Sequence, residues 1–334
     1  MGSKGLDIGT NMIVAAQFDE EGVPVFKMQR DAFYRIVPKT EVNKNSIRMS
    51  LDKRGANFIF DDSIRPYGSY IVVGEDALEI AIERNDVAQR PMSKGIISPK
   101  EKASLPMIKL IIENLLGKGD GDKLIYSVPA KPIDSVFDIT YHTEMMGMYI
   151  RQMGYDPYPI NEAFAIALSE LLDEGLTGIA MSYGAGMTNV VVVHEGDPLV
   201  EFSLTRGGDY IDQSVGNAID VSPSLVQMEK ESGTDLYKPN SKIMEAVTVY
   251  YSTLINYTLQ NIAFELKQRE KELPIFREPV PIVVSGGLTL ADGFVKKVNE
   301  VLTSIDFPIE IGNVKKADQP MKAVANGCLL ASTL

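Results

Sequence analysis

Residues Gly178 to Gly196 read GIAMSYGAGMTNVVVVHEG. An apolar run enters a turn built on Gly184, Ala185 and Gly186. Thr188 follows, and then the β-branched run Val190 to Val193. The pattern predicts strand, tight glycine turn, strand, a shape in which backbone N–H groups converge on an anion. Plain hairpins use glycine in the same way, so the turn alone does not decide its role. A twin near the start adds to it. Gly5 to Glu20, GLDIGTNMIVAAQFDE, has the same plan: apolar entry, a turn at Gly9-Thr10-Asn11, then Met12 to Phe18. Two phosphate-type hairpins imply a duplicated fold that grips a nucleotide between two lobes.

Composition sets the outer limits. The 334 residues are 45% hydrophobic and 23% charged, an ordinary globular balance with ample material for a core. The length favours about two domains. A formal net charge of −12 argues against a basic footprint for direct nucleic-acid binding. No apolar run reaches the roughly 18 residues of a membrane span. The first hairpin begins almost at Met1, so neither a signal peptide nor an N-terminal membrane-binding helix is expected. A single cysteine, Cys328, fits a reducing cytoplasm. His142 and His194 do not make a metal site and are expected to be surface or satisfied residues.

Between the hairpins the chain alternates strands and helices, which predicts an α/β fold with much parallel pairing. Residues 23–90 form a mixed region with short β-like pieces at 57–60 and 70–73 and a helix over 77–84. Ser98-Pro99-Lys100-Glu101 forms a capping box for a helix with Leu105, Ile108, Ile112 and Leu115 on one face. Leu124 to Val128 is a buried strand. Asp134 is expected to open a helix with Phe137, Tyr141, Met145 and Met148 on one side. A strand at 158–160 leads through Asn161-Glu162 into a helix over 163–172. Beyond the second hairpin come helices at 210–219, from Ser222-Pro223 onward, and from Asn240 or Ser241 to about Lys271. Ile282 to Ser285 reads as a buried strand ending in Gly286-Gly287, and residues 292–302 as a helix. A last helix contains Gly327.

Taken together, these segments resemble the actin and Hsp70 superfamily, and within it bacterial actin-like proteins such as MreB and MamK. Gly5-Leu6-Asp7-Ile8-Gly9-Thr10 resembles the first phosphate motif, and Ser182-Tyr183-Gly184-Ala185-Gly186-Met187-Thr188 the second. Tyr126-Ser127-Val128-Pro129-Ala130 is similar to the first connecting strand. Asn161-Glu162-Ala163-Phe164 is similar to the segment that carries the family's water-activating glutamate. Val283-Val284-Ser285-Gly286-Gly287 resembles the adenosine motif, and residues 323–327 the second connecting helix. The order and spacing of these pieces cover nearly the whole chain. The resemblance implies an actin-like fold of two duplicated RNase H-like lobes with a nucleotide cleft between them. The first lobe would be residues 1–160 plus 314–334, with a small insertion at about 30–92. The second would be 161–313, with a reduced, mainly helical subdomain at about 209–274.

The resemblance also assigns roles. Gly9, Thr10, Asn11, Gly184, Ala185, Gly186 and Thr188 would clasp the phosphates of ATP or ADP. Asp7 would face Mg²⁺ through water; a turn-capping aspartate is the plainer alternative. Gly208, Gly286 and Gly287 would let backbone approach the nucleotide. Lys230 and Glu231 would touch ribose and adenine, or else form an exposed, charged helix end. Glu162 would polarise the attacking water, against a plainer role at a helix N-terminus. Ser182 stands where the second motif normally has aspartate, which implies slower hydrolysis. The short stretch 233–240 leaves no room for the β-hairpins that relatives carry there. The expectation is an ATPase that polymerises into cytoplasmic filaments under nucleotide control and binds an unknown adaptor or cargo protein. A non-polymerising adaptor and a small-molecule kinase are the alternatives.

Overall fold

The computed structural model describes residues 2–97 and 104–334. The first lobe begins with the hairpin β1 (Lys4–Ile8) and β2 (Met12–Phe18), extended by β3 (Pro24–Arg30). A small insertion follows: β4 (Phe33–Ile36), α1 (Glu41–Arg54), β5 (Phe58–Asp61), β6 (Ser69–Val73) and α2 (Glu75–Glu83). A short ribbon, β7 (Met92–Ser93) and β8 (Ile96–Ile97), precedes α3 (Ser104–Leu116), β9 (Lys123–Val128), α4 (Thr140–Gln152) and β10 (Asp156–Asn161). Then come α5 (Glu162–Glu170), β11 (Gly178–Tyr183), β12 (Thr188–His194), β13 (Asp197–Leu204), α6 (Gly208–Ile219), α7 (Pro223–Glu231) and α8 (Lys242–Gln268). The chain closes with β14 (Val280–Ser285), α9 (Phe294–Leu302), β15 (Ile311–Lys316) and α10 (Ala323–Ala331).

Two five-stranded sheets carry the same topology. One runs β10-β9-β1-β2-β3 and the other β13-β12-β11-β14-β15. In each, three consecutive strands form an antiparallel meander, and two later strands add in parallel beside the first. Parallel addition needs crossover connections, and helices supply them: α4 between β9 and β10, α9 between β14 and β15. This is the duplicated, RNase H-like arrangement that the resemblance implies.

Helices α5 and α10 lie between the sheets. Their facing residues are small: Ala163, Ala165 and Ala167 on one, Ala323 and Gly327 on the other. A Cβ on Gly327 would overlap the Ala165 backbone, so the two axes approach as closely as bare backbone allows. Gly5 likewise lets β1 lie on α10, against Ala325 O and Leu329 N. Cys328 is a buried free thiol in this layer.

Three differences from the sequence reading stand out. Residues 134–138 are not helical. Asp134 instead accepts the Thr205 N–H (2.9 Å), and Ile133 N–H donates to Ser203 O. These bonds stretch residues 130–134 along β13. Helix α4 therefore starts at Thr140 and buries His142, Met146 and Ile150, while Tyr141 and Met148 stay exposed. Helix α1 is an addition. It buries only Ile47 and Leu51, so its periodicity is faint, although Thr40 caps it and Gly55 closes it in the left-handed conformation. The boundary at 314 cuts β15, which pairs with β14 in the second sheet. The capping box at 98–101 lies outside the described residues. His142 is buried and accepts the Ile97 N–H, and burial pulls its pKa down to about 4.

Gly327→Ala tests the helix crossing. In an ordinary helix this change stabilises by about 1 kcal/mol. Here it should destabilise, by about 2 kcal/mol, because a backbone overlap must be relieved. Urea denaturation midpoints give the sign.

Candidate functional site

The two hairpin turns are built alike. Gly9 N–H donates to Met12 O at 3.1 Å, and Gly184 N–H donates to Met187 O at 3.0 Å. They meet at Gly186, whose missing Cβ leaves room for Thr10 and the Lys94–Gly95 backbone. Thr10 accepts the Gly95 N–H through its hydroxyl. The N-terminus of α6 is strapped to the second turn: Gly208 N–H donates to Gly184 O and Asp209 N–H to Ala185 O. Between the turns and helices α6 and α7 lies a cavity of about 580 Å³, a size suited to a nucleotide-like ligand.

Every site residue expected from sequence lines this cavity except Thr188. Thr188 is fully buried, and its hydroxyl donates to Arg206 O at 2.8 Å. That bond braces the start of β12 against the α6 approach, so its side chain turns away from the cavity.

Asp7 is the penultimate residue of β1, where Ser127 donates to its Oδ1 at 2.8 Å and itself accepts the Ile8 N–H. Glu162 opens α5, whose N-terminus is capped by Asn161 on Ala163 and Phe164 N–H. Both Glu162 oxygens are held. Ser182 donates to Oε1 at 2.5 Å and Asn189 to Oε2 at 2.8 Å. Asn189 is itself buried and anchored, accepting the Ala130 N–H at 3.0 Å. Ser182, which stands where the second motif normally has aspartate, thus gives its proton to Glu162. Burial pushes both acids above their usual range, and the neighbouring Asp7 charge pushes Glu162 further.

On the far side, Gly286 adopts φ +90°, and a Cβ there would meet Tyr183 O at 2.5 Å. Gly287 differs: the nearest atom to its missing Cβ is Met321 Sδ at 3.6 Å. Lys230 donates to Asp212 (2.6 Å) and to Gly208 O, with both charged side chains nearly buried. Burial raises Asp212 to about 6 despite that pairing. Glu231 receives Arg30 at 3.1 Å and Gln227 at 2.9 Å. Among the described residues, six carboxylates line the cavity (Asp7, Glu75, Glu162, Asp209, Asp212, Glu231) against two cations, Arg30 and Lys230. The site is short of positive charge.

Sequence reading missed Ser127, Asn189, Asp212 and Arg30. Asn189 carried a signal, a lone amide at the head of a valine run. Ser127 and Arg30 carried none, because their partners lie far along the chain.

Glu162 yields a pH test on metal-free, nucleotide-free protein. Its folded pKa is raised, so over this range the folded state holds more protons than the unfolded state. Stability should therefore fall as pH rises from the unfolded value near 4.5 upward. Glu162→Gln removes that loss. It should raise the melting temperature by about 2 °C at pH 8 and change little at pH 4.5, as read by thermal denaturation at both values.

A family model described as Volactin matches residues 2–332. No curated protein sequence matches significantly. Among solved structures, a MamK double helical filament superposes with a TM-score of 0.69 at 18% identity, covering 100% of this chain and 99% of that one. MreB5 of Spiroplasma citri bound to AMPPNP gives 0.66 at 14%, covering 98% and 94%. The ethanolamine utilization protein EutJ from Carboxydothermus hydrogenoformans gives 0.56 at 16%, covering 99% and 90%. The fold is actin-like, and the chain belongs to the Volactin family.

Proposed function

We propose that this protein binds ATP with Mg²⁺ in the cleft between its lobes, hydrolyses it slowly and assembles into filaments under nucleotide control. The observation that carries the reading is the pair of identically closed glycine turns facing one cavity that holds Asp7 and Glu162. The lobes that close on the nucleotide are residues 1–160 with the C-terminal helix, and 161–316. The backbone N–H groups of the two turns hold the phosphates. Gly208 and Gly287 give the sugar and base room beside Leu288 and Met321.

The acid-rich lining fits a metal–nucleotide complex better than a bare nucleotide. Asp7 would hold Mg²⁺ through its water shell, since that ion keeps several waters and takes few carboxylates. When bound, the ion neutralises phosphate charge and orients the terminal phosphoryl group. Glu162 orients the attacking water. Ser182 and Asn189 fix both of its oxygens, so the carboxylate arrives positioned and needs no strong basicity. Ser182 brings a hydrogen bond where an aspartate would bring a negative charge. Turnover is slow on that account.

Self-association draws support from the whole-chain likeness to a protein solved as a double helical filament. The acidic surface disfavours direct nucleic-acid contact. Among the described residues no helix is long and apolar enough to cross a membrane. We place the protein in the cytoplasm, with a cargo or adaptor protein as its further partner.

Calorimetry tests the cleft. ATP should bind with Mg²⁺ and lose at least about tenfold in affinity in chelator or in Gly287→Val, at a position where an added Cβ meets nothing nearer than Met321 Sδ at 3.6 Å. Single-turnover phosphate release should fall by about 100-fold or more in Glu162→Ala with affinity nearly intact; undiminished release removes Glu162 from the mechanism.

Electron microscopy with and without ATP·Mg²⁺ tests assembly, and moderate salt should promote it by screening like charges. Monomers under every nucleotide and salt condition would favour a non-polymerising adaptor.

A further inference from the structure

Six polar side chains, joined end to end, cross the mouth of the cleft: Asn11, Arg30, Glu231, Gln227, Arg90 and Asp209. Phe33 and Gln89 exchange both backbone hydrogen bonds at 2.8 Å, which brings the chain after β3 beside the chain before β7. Arg30 and Arg90 come from these two stretches, and both reach the second lobe. Arg30 forks onto Glu231 of α7, with Nη2 at 3.1 Å and Nη1 at 3.4 Å, and Nη1 also donates to Asn11 Oδ1 at 3.2 Å. Arg90 Nη1 donates to Asp209 in the first turn of α6 (2.8 Å), and its Nη2 donates to Gln227 Oε1 on α7 (3.0 Å).

The two clasps share a joint. Gln227 and Glu231 stand four residues apart on α7, so they lie on one face. Gln227 Nε2 donates to Glu231 Oε1 at 2.9 Å, while its Oε1 accepts from Arg90. Both ends of one amide are used, one on each clasp. The four charged side chains are 23–38% exposed. A single pair that open to water contributes little. A forked arginine–carboxylate bond tied to a second ion pair is a network, and its members strengthen one another. Arg90 stands outside the cavity wall, whereas Arg30, Asp209, Gln227 and Glu231 line it.

We propose that these side chains form a gate: Gln227 links the Arg30–Glu231 and Arg90–Asp209 clasps into one strap, and nucleotide enters or leaves when the strap opens as a unit. The lobes are locked together at the α5–α10 crossing, so parting is left to the mouth, and the strap spans it. Opening gives up both ion pairs. Water solvates the freed charges and salt screens their attraction, so ionic strength favours the open state. The effect on nucleotide exchange rests on the cleft reading given above; the opening of the strap does not.

The test uses the full chain with spin labels at Met49→Cys on α1 and Val249→Cys on α8, both exposed, while native Cys328 stays buried. Pulsed dipolar spectroscopy reads the ratio of open to closed lobes without ligand. Release of a fluorescent ATP analogue with Mg²⁺ is followed in parallel on Arg90 variants, because that side chain lies outside the cavity wall. Arg90→Gln should raise both the open-to-closed ratio and the release rate by about tenfold. Arg90→Lys, which keeps the charge without the fork, should raise them less. Raising salt from about 0.05 to about 0.5 M should open the parent more than it opens Arg90→Gln. Arg30→Gln should raise the ratio about as much as Arg90→Gln. The double variant should then fall well short of the product of the two single effects, because either loss already frees the shared joint. In a Gln227→Leu background the two effects should multiply. Full multiplication in the parent background makes the clasps independent and overturns the strap. Unchanged distances in Arg90→Gln and Arg30→Gln overturn it too, as does wider opening with unchanged release. If the parent protein binds no nucleotide, the cleft reading fails, and the ligand-free distances still decide the strap.

Discussion

The close crossing of α5 and α10 sets the rest of the molecule. Each helix belongs to a connection between lobes, and each presents alanine or glycine where they meet. Backbone lies against backbone, which leaves little freedom to slide or tilt. From that fixed point the two acids of the site are placed. Helix α5 begins at Glu162, immediately after β10 and its Asn161 cap. Helix α10 lies on Gly5, two residues before Asp7 on β1. A crossing made of small apolar residues thus fixes the spacing of two carboxylates that belong to different elements.

Holding acids in that place is unfavourable, and the surrounding side chains reflect it. Ser127 donates to Asp7, and Ser182 and Asn189 donate to Glu162. All three donors are buried and neutral. They steady each carboxylate without cancelling its charge. A lysine at the same distance would cancel it and lower the affinity for a cation. Lys230 in the cavity wall is paired with Asp212 instead. The cleft is left electrostatically incomplete, which suits a ligand that arrives with its own divalent ion. Where charge is cancelled across the cleft, the partners are arginines at the mouth, and they join the lobes.

Much of this was legible in the sequence. The two glycine turns, the Ser241 cap on α8 and the Ser222-Pro223 start of α7 are local signals, and the structure places each where the residues ask for it. The helical character of 208–268 followed from periodicity and from the shortness of 233–240. The misses have one cause in common. Helix α1 carries few apolar residues because most of it faces solvent. Residues 134–138 have helical-looking spacing, but Asp134 is held by the Thr205 N–H and residue 133 by Ser203, some seventy positions away. Thr188 was placed at the ligand by position in a motif, and a bond to Arg206 turns it inward.

By itself, then, the sequence determined the elements and the duplication. Hairpin turns, caps and apolar runs are decided by neighbours within a few positions, and two copies of one hairpin plan declare two copies of one sheet. Through its resemblance to the actin-like proteins it also indicated which residues would gather at the cleft. Only the tertiary structure decided how those residues are used. Ser182 bonds Glu162, Asn189 ties Glu162 to residue 130, and Arg90 bridges to Asp209. Each of these is a contact between side chains tens of positions apart, set by burial and charge after the sheets have docked, and local propensity has no bearing on it.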